Sequence, residues 1–271
     1  MDLEEIMVRL EDCIGVTVGP VEPGIVRALE ENNFGQAPVW LKNKCFIGGI
    51  STKRLKQLLE SGEELLENDK DLKLNEIYSP YRLTKLLEFL SEHSFGFVTI
   101  KQDGGEYGID YPVVGLITIS DLNKHYIRSL VYVFLSELEK LLGMFIKTFC
   151  PDPWEWLDQM NNETLVRVLG YWELSKRRNV DIGPIEACTI SDLLNVISKG
   201  QRLHRKLGYI SRKNFDKANG RIPELRNSIM HPVRPLVNDS KDVISLKRTV
   251  ESVMELVTRL QSLRKSTPIS N

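Results

Sequence analysis

Gly115-Leu116-Ile117-Thr118-Ile119-Ser120-Asp121 (residues 115–121) repeats the outline of an earlier stretch, Gly49-Ile50-Ser51 (49–51), which runs on into Thr52-Lys53-Arg54. Each is a glycine-led apolar run that ends on a hydroxyl residue where a helix is expected to start. A Ser or Thr there can accept a backbone N–H from the first helical turn. Outward from this pair, residues 15–59 read as strand, helix, strand, strand, helix. An extended run at 15–20 precedes helical spacing over 22–33, with Ile25, Val26 and Leu29 on one face. Apolar runs follow at 37–40 and 45–50, and Ser51 caps a helix over 52–59. The same order returns at 76–124. An extended run at 77–80 leads to a helix over 81–93 carrying Leu83, Leu86, Leu87 and Leu90. Runs at 95–100 and 113–118 flank a Gly-rich excursion at 101–110, which has the pattern of a hairpin tip. The acidic stretch 61–71 joins the two copies. Alternating strands and helices make each an α/β unit, and duplication implies that two units complete one core.

At 271 residues the chain has room for two domains, and its 42% apolar and 27% charged content is that of a globular protein. The N-terminus is acidic and amphipathic, without the pattern of a signal peptide. Acidic and basic residues interrupt the richest apolar run, 126–149, so it reads as a buried helix and not a membrane span. The cysteines Cys13, Cys45, Cys150 and Cys188 lack paired spacing, which argues against a metal site or a disulfide framework and suits a reducing, cytoplasmic setting. The formal net charge of −1 hides an asymmetry. Residues 1–123 carry 12 Lys/Arg against 21 Asp/Glu, a net of −9, and residues 124–271 carry 24 against 16, a net of +8. The window 199–234, with 10 basic and 2 acidic residues, accounts for the C-terminal excess. Such a segment is either the footprint of a polyanion or a solvated face partnering the acidic half.

The two N-terminal units resemble a tandem pair of CBS motifs (units about 1–60 and 72–122), with their strand-helix-strand-strand-helix order and the final Gly-apolar-apolar-Ser/Thr-x-x-Asp stretch. The resemblance implies an adenine nucleotide or related regulatory ligand in the cleft between the units, with the hydroxyl facing phosphate and the Asp holding ribose hydroxyls. The second unit fits with Thr118 and Asp121. The first departs from the pattern: Ser51 is present, but Arg54 stands where Asp is expected, a residue suited to phosphate and not to ribose. One site built on Thr118 and Asp121, rather than two, is the expectation. Capping and helix-dipole roles are the plainer account of the same residues.

Beyond residue 120 the alternation ends. Apolar positions predict a long helix over 122–149, carrying the last helix of the second unit onward and stopped by Pro151 and Pro153. A helix over 163–177 is capped from Asn161, Asn162 or Asp158, a loop spans 179–189, and another helix starts at Thr189 or Ser191. A basic connection over 208–221 precedes Pro223, which opens a short helix holding Arg226, Asn227 and His231 and bounded by Pro232. A last helix covers 240–265. This half, 123–271, resembles an all-α HEPN domain. Leu225-Arg226-Asn227-Ser228-Ile229-Met230-His231-Pro232 fits that superfamily's Arg, four to six residues, His signature, here with Asn straight after the Arg.

The fold class expected is therefore α+β, an α/β CBS pair (1–122) followed by a HEPN helical bundle (123–271). The resemblance implies a metal-independent endoribonuclease that acts as a homodimer on single-stranded RNA, with no cofactor for catalysis. His231 would move protons, Arg226 would hold the scissile phosphate, and Asn227 would orient the imidazole or bind phosphate. Arg205, Lys206, Arg212, Lys213, Lys217 and Arg221 would contact RNA. By family analogy the setting is stress response or antiviral defence, with a cognate antitoxin as partner and no membrane association. The other reading is a nucleotide-sensing interaction protein in which the helical half only dimerises.

Overall fold

The computed structural model describes residues 1–43, 45–79, 81–100, 102–103, 109–110, 112–200 and 202–266. The chain is mixed α/β and divides into two compact units: Met1–Tyr126 together with Val237–Ile244, and Ile127–Leu236 together with the chain from Ser245 onward.

In the first unit, strand β1 (Val8–Arg9) precedes the first repeat. That repeat runs β2 (Val16–Thr17), β3 (Gly19–Pro20), α1 (Pro23–Glu31), β4 (Gln36–Trp40), β5 (Phe46–Ser51), α2 (Thr52–Ser61) and β6 (Glu64–Leu65). β2 pairs parallel with β4 and β4 antiparallel with β5. Amphipathic helices α1 and α2 bury Val26, Leu29, Leu55 and Leu58 with Val39 and Ile50 in one cluster. The Ser51 hydroxyl caps α2 by accepting the Arg54 N–H at 3.2 Å. Gly62, at φ 70°, ends the helix in the left-handed region that favours glycine.

The second repeat has β7 (Glu76–Ser79), α3 (Leu83–Glu92), β8 (Phe95–Ile100) and β11 (Val113–Thr118). β7 is parallel to β8, and β8 antiparallel to β11, as in the first repeat. The excursion between β8 and β11 carries the short antiparallel strands β9 (Gln102–Asp103) and β10 (Ile109–Asp110). The tip expected between them lies outside the described residues.

The segment before each repeat pairs with a strand of the other. β1 lies antiparallel to β11, with Val8 opposite Leu116 and Arg9 opposite Gly115. Lys73, between the repeats, bridges to Gly49 of β5 through two backbone hydrogen bonds of 2.8 and 2.9 Å. Two-residue β1 carries no period-2 apolar signal, so sequence reading missed it. The crossing explains the glycine of the 115–121 stretch: a Cβ on Gly115 would fall 2.8 Å from the Val8 carbonyl oxygen.

The second unit, among its described residues, is helical. It contains α4 (His125–Phe149), α5 (Trp154–Leu157), α6 (Asn162–Arg177), α7 (Ile190–Lys199), α8 (Leu203–Lys206), α9 (Arg212–Asn219), α10 (Ile222–Met230) and α11 (Ser240–Ser266), except that His125 and Tyr126 of α4 and residues 240–244 of α11 belong to the first unit. Three expectations are corrected. Residues 122–149 are not one helix. A 3-10 turn over Ile119–Asn123 ends at Lys124, whose extended backbone (φ −62°, ψ 151°) precedes α4. The basic stretch 208–221 is not a plain connection, because Ser211 caps α9 within it and α9 buries Phe215 and Asn219. The loop 179–189 contains a 3-10 turn, Pro184–Ala187. Of the capping alternatives, Asn161 caps α6, and Thr189 caps α7 with Asp192 in a reciprocal box.

Gly115→Val is expected to destabilise the protein by about 1–3 kcal/mol in urea unfolding, the usual range for forcing atoms into a packed site. An unchanged midpoint would mean that β1 does not lie against β11.

Candidate functional site

The exchange of leading segments creates a cavity of about 440 Å³ in the first unit. Val8 and residues 12–14 line it from the leading segment, residues 32–36 from the turn into β4, and Ser94, Leu116 and residues 118–121 from the second repeat. Its volume lies within the usual range for small-molecule sites.

Thr118 and Asp121 both line this cavity, but they also bind one another. The Thr118 backbone N–H and hydroxyl donate to Asp121 Oδ2 at 2.7 and 2.9 Å, and Lys124 Nζ meets Oδ1 at 2.8 Å. Asp121 is buried. An ionised carboxylate only accepts, so the Thr118 hydroxyl proton is committed to it and the oxygen offers lone pairs to the cavity. In this arrangement the Thr118 hydroxyl donates within the pair and not to the cavity. Cys13 also lines the cavity. Burial, then the nearby Asp12 and Asp121 charges, push its thiol up to about 11, so it stays protonated at neutral pH.

Ser51 and Arg54 do not line this cavity. Arg54 Nη2 meets Asp69 Oδ2 at 2.9 Å, and its Nε lies 3.4 Å from an Asp71 carboxylate oxygen. The acidic linker therefore occupies the guanidinium that was expected to meet phosphate. Burial of Asp69 works to raise its pKa, but the Arg54 hydrogen bond and the Asp71 backbone N–H outweigh it and hold the carboxyl below its ordinary value.

In the second unit Arg226, Asn227 and His231 differ in exposure. Arg226 is half-buried and within electrostatic reach of Glu139 on α4, whose carboxyl burial pushes above the usual range while Arg226 acts against the rise. Asn227 and His231 are exposed. His231 is not on the helix as expected. It is the C-cap of α10 (φ −114°, ψ 76°), with its N–H on the Asn227 carbonyl at 3.1 Å. Pro232 disfavours helical backbone in the preceding residue.

Sequence reading missed the residue that secures this turn. Arg128, 4% exposed, donates to the Ser228 carbonyl at 2.7 Å and to the Arg234 carbonyl, closing the end of α10 and the loop that follows. A guanidinium inside an apolar helix was the available signal, since buried charges are held by partners.

The six residues expected to contact RNA are all exposed. Arg212, Lys213 and Lys217 lie on α9. Arg212 is engaged by Asp216 and Ser198, Arg221 by Ser245, and Lys206 sits over the Phe149 ring at 4.3 Å. Among the described residues, no cluster of His, Cys, Asp or Glu is suited to hold a metal ion, and no helix is long and apolar enough to cross a membrane.

No protein-family model matches this sequence, and no curated protein matches it. Over the N-terminal part the chain is similar to solved CBS-domain structures. One is a CBS domain protein from Shewanella oneidensis MR-1, at 24% identity over 44% of this chain and 92% of that one, TM-score 0.33. Another is the CBS domain of a transporter described as putative from Clostridium difficile 630, at 22% identity over 46% and 93%, TM-score 0.36. A third is CbpB in complex with c-di-AMP, at 22% identity over 51% and 91%, TM-score 0.34. With every TM-score below 0.5, the doubled unit is defined by the strand registers above and not by these likenesses.

The depressed Asp69 pKa sets a pH dependence. The stabilisation is present above the ordinary carboxylate pKa, about 4, and is lost as pH falls through the lower folded value. Asp69→Asn should lower the melting temperature at pH 7 by about 2–4 °C and converge with wild type once the pH has fallen past the folded value. A gap that stays constant through that fall would remove the ion pair as its cause.

Proposed function

We propose that the first unit is a CBS-type pair that binds an adenine-nucleoside ligand in the Thr118–Asp121 cavity, and that the second is a HEPN-type domain that cleaves single-stranded RNA. The observation that carries the first half is the cavity itself, formed by both repeats and placed at the hydroxyl and carboxylate of the 115–121 stretch. The second half rests on the exposed Asn227–His231 turn, its anchoring by Arg128, and the basic face of α9.

RNA carries its own nucleophile, the 2′-hydroxyl, so cleavage needs a proton acceptor, a proton donor and charge stabilisation at the phosphate. His231 supplies proton transfer and Arg226 binds the phosphate. A single imidazole does not begin as base and acid together. A two-fold dimer supplies the second, and the products are a 2′,3′-cyclic phosphate and a 5′-hydroxyl. Ligand binding in the first unit regulates this reaction to the extent that it favours one arrangement of the dimer over another. The Glu139 carboxyl within electrostatic reach of Arg226 favours a second reading, in which the helical unit binds partners without cleaving RNA.

Labelled single-stranded RNA incubated in EDTA separates the two. Cleavage by wild type with cyclic-phosphate ends, reduced about 10²–10⁴-fold in His231→Ala, is the expected outcome. Intact RNA, or equal cleavage by both proteins, leaves the binding reading in its place.

A further inference from the structure

Taking the Thr118–Asp121 cavity as the ligand site proposed above, we infer that it selects a nucleoside without a polyphosphate chain. Among the described residues its lining holds two carboxylates, Asp12 and Asp121, and no Lys, Arg or His. Lys124, bonded to Asp121, is also held by the Ile6 carbonyl. Arg54, the guanidinium at the matching position of the first repeat, is paired with Asp69 and Asp71. The surrounding sequence, residues 1–123, carries a net charge of −9. A di- or triphosphate would bring its negative charge to this lining without a fixed counter-charge, against the field of the unit.

What the cavity does offer is acceptors. The Thr118 oxygen presents lone pairs beside an Asp121 carboxylate that already accepts from Thr118 and Lys124, Asp12 stands exposed at the lining, and Gln36 adds a buried side-chain oxygen with no hydrogen-bond partner. Buried acceptors are costly to leave unpaired, so the matching ligand arrives with donors. Ribose hydroxyls and the exocyclic amine of adenine are such donors, and the apolar Val8, Ile14, Phe34 and Leu116 suit a base. The ligand class is an uncharged nucleoside, or one bearing a cationic tail.

Isothermal titration of the full chain with adenosine, AMP and Mg-free ATP at low salt tests this. Adenosine is expected to bind at least about tenfold tighter than ATP, with AMP between, and Asp12→Lys, at an exposed position, to narrow the ratio. ATP binding tighter than adenosine overturns the selectivity and leaves the nucleotide site standing. Silence of all three, with protein folded by circular dichroism, overturns the site as well.

A separate observation concerns α6. Its outward face carries Val166 (71% exposed), Gly170 and Leu174 (45% exposed), with Glu163 before them and, after them, Arg177, whose Nε also meets Glu173 Oε1 at 3.1 Å. These positions recur every three or four residues and so form one stripe. They are also symmetric about Gly170. When two copies of the helix cross antiparallel at that residue, Val166 of one meets Leu174 of the other, and Glu163 meets Arg177, twice over. A Cβ on Gly170 would have no neighbour within 4 Å, so the crossing point is open to close approach. We propose that this face docks a second copy of the chain, because an isologous interface requires such self-complementarity.

Sedimentation velocity should show a dimer for wild type and a monomer for Gly170→Arg. Glu163→Arg and Arg177→Glu should each weaken the dimer about fivefold, and their combination should restore it. A monomeric wild type, or a Gly170→Arg protein that still dimerises, overturns the proposal.

Discussion

The first unit depends on an exchange of backbone hydrogen bonds across its repeats. β5 and β11 each have an edge left over by their own repeat, and an unpaired edge exposes N–H and C=O groups that need partners. β11 obtains its partner from Val8–Arg9, ahead of the first repeat, and β5 obtains a shorter one from Lys73, ahead of the second. Each repeat thus holds part of the other's sheet. The cavity follows from this, because residues 12–14 are delivered to the end of β11 by the strand that precedes them. Gly115 is required at the crossing by the proximity of the Val8 carbonyl.

The same exchange accounts for the difference between the two related positions, Ser51–Arg54 and Thr118–Asp121. The linker that supplies Lys73 also supplies Asp69 and Asp71, and these neutralise Arg54. At the other position the lead-in supplies Asp12 and Cys13, which do not pair with Asp121, and the space remains open. The repeats share a topology, and one pair of linker carboxylates separates their chemistry.

Most of the doubled architecture was legible in the sequence because its signals are local. Period-3.6 stripes over α1, α2 and α3, apolar runs at β4, β5, β8 and β11, and hydroxyl caps at Ser51 and Thr189 each act within a few residues. What escaped depends on distant partners. β1 is two residues long and acquires its meaning only from β11. α9 exposes most of its surface and hides only Phe215 and Asn219, so its charges read as a connection. The pairing of Arg54 with Asp69, and of Arg128 with two carbonyls about a hundred residues away, has no sequence period. The motif at 226–231 was visible as letters, but its geometry was not: Pro232 keeps His231 off the helix, and Arg226 is half-buried.

The crossing of β1 has a consequence during synthesis. Val8 is made before its partner, Leu116, which follows about 110 residues later. At elongation rates of about 5–20 residues per second, the leading segment waits roughly 5–20 seconds before its partner exists. The first repeat must pass that interval without the leading segment docked, and the closing contact spans one of the longer loops in the unit, the slow kind of step in folding. The short, charged character of this strand, with Arg9, Glu11 and Asp12 at or beside it, then matters as protection for a nascent chain that has nothing yet to pair with.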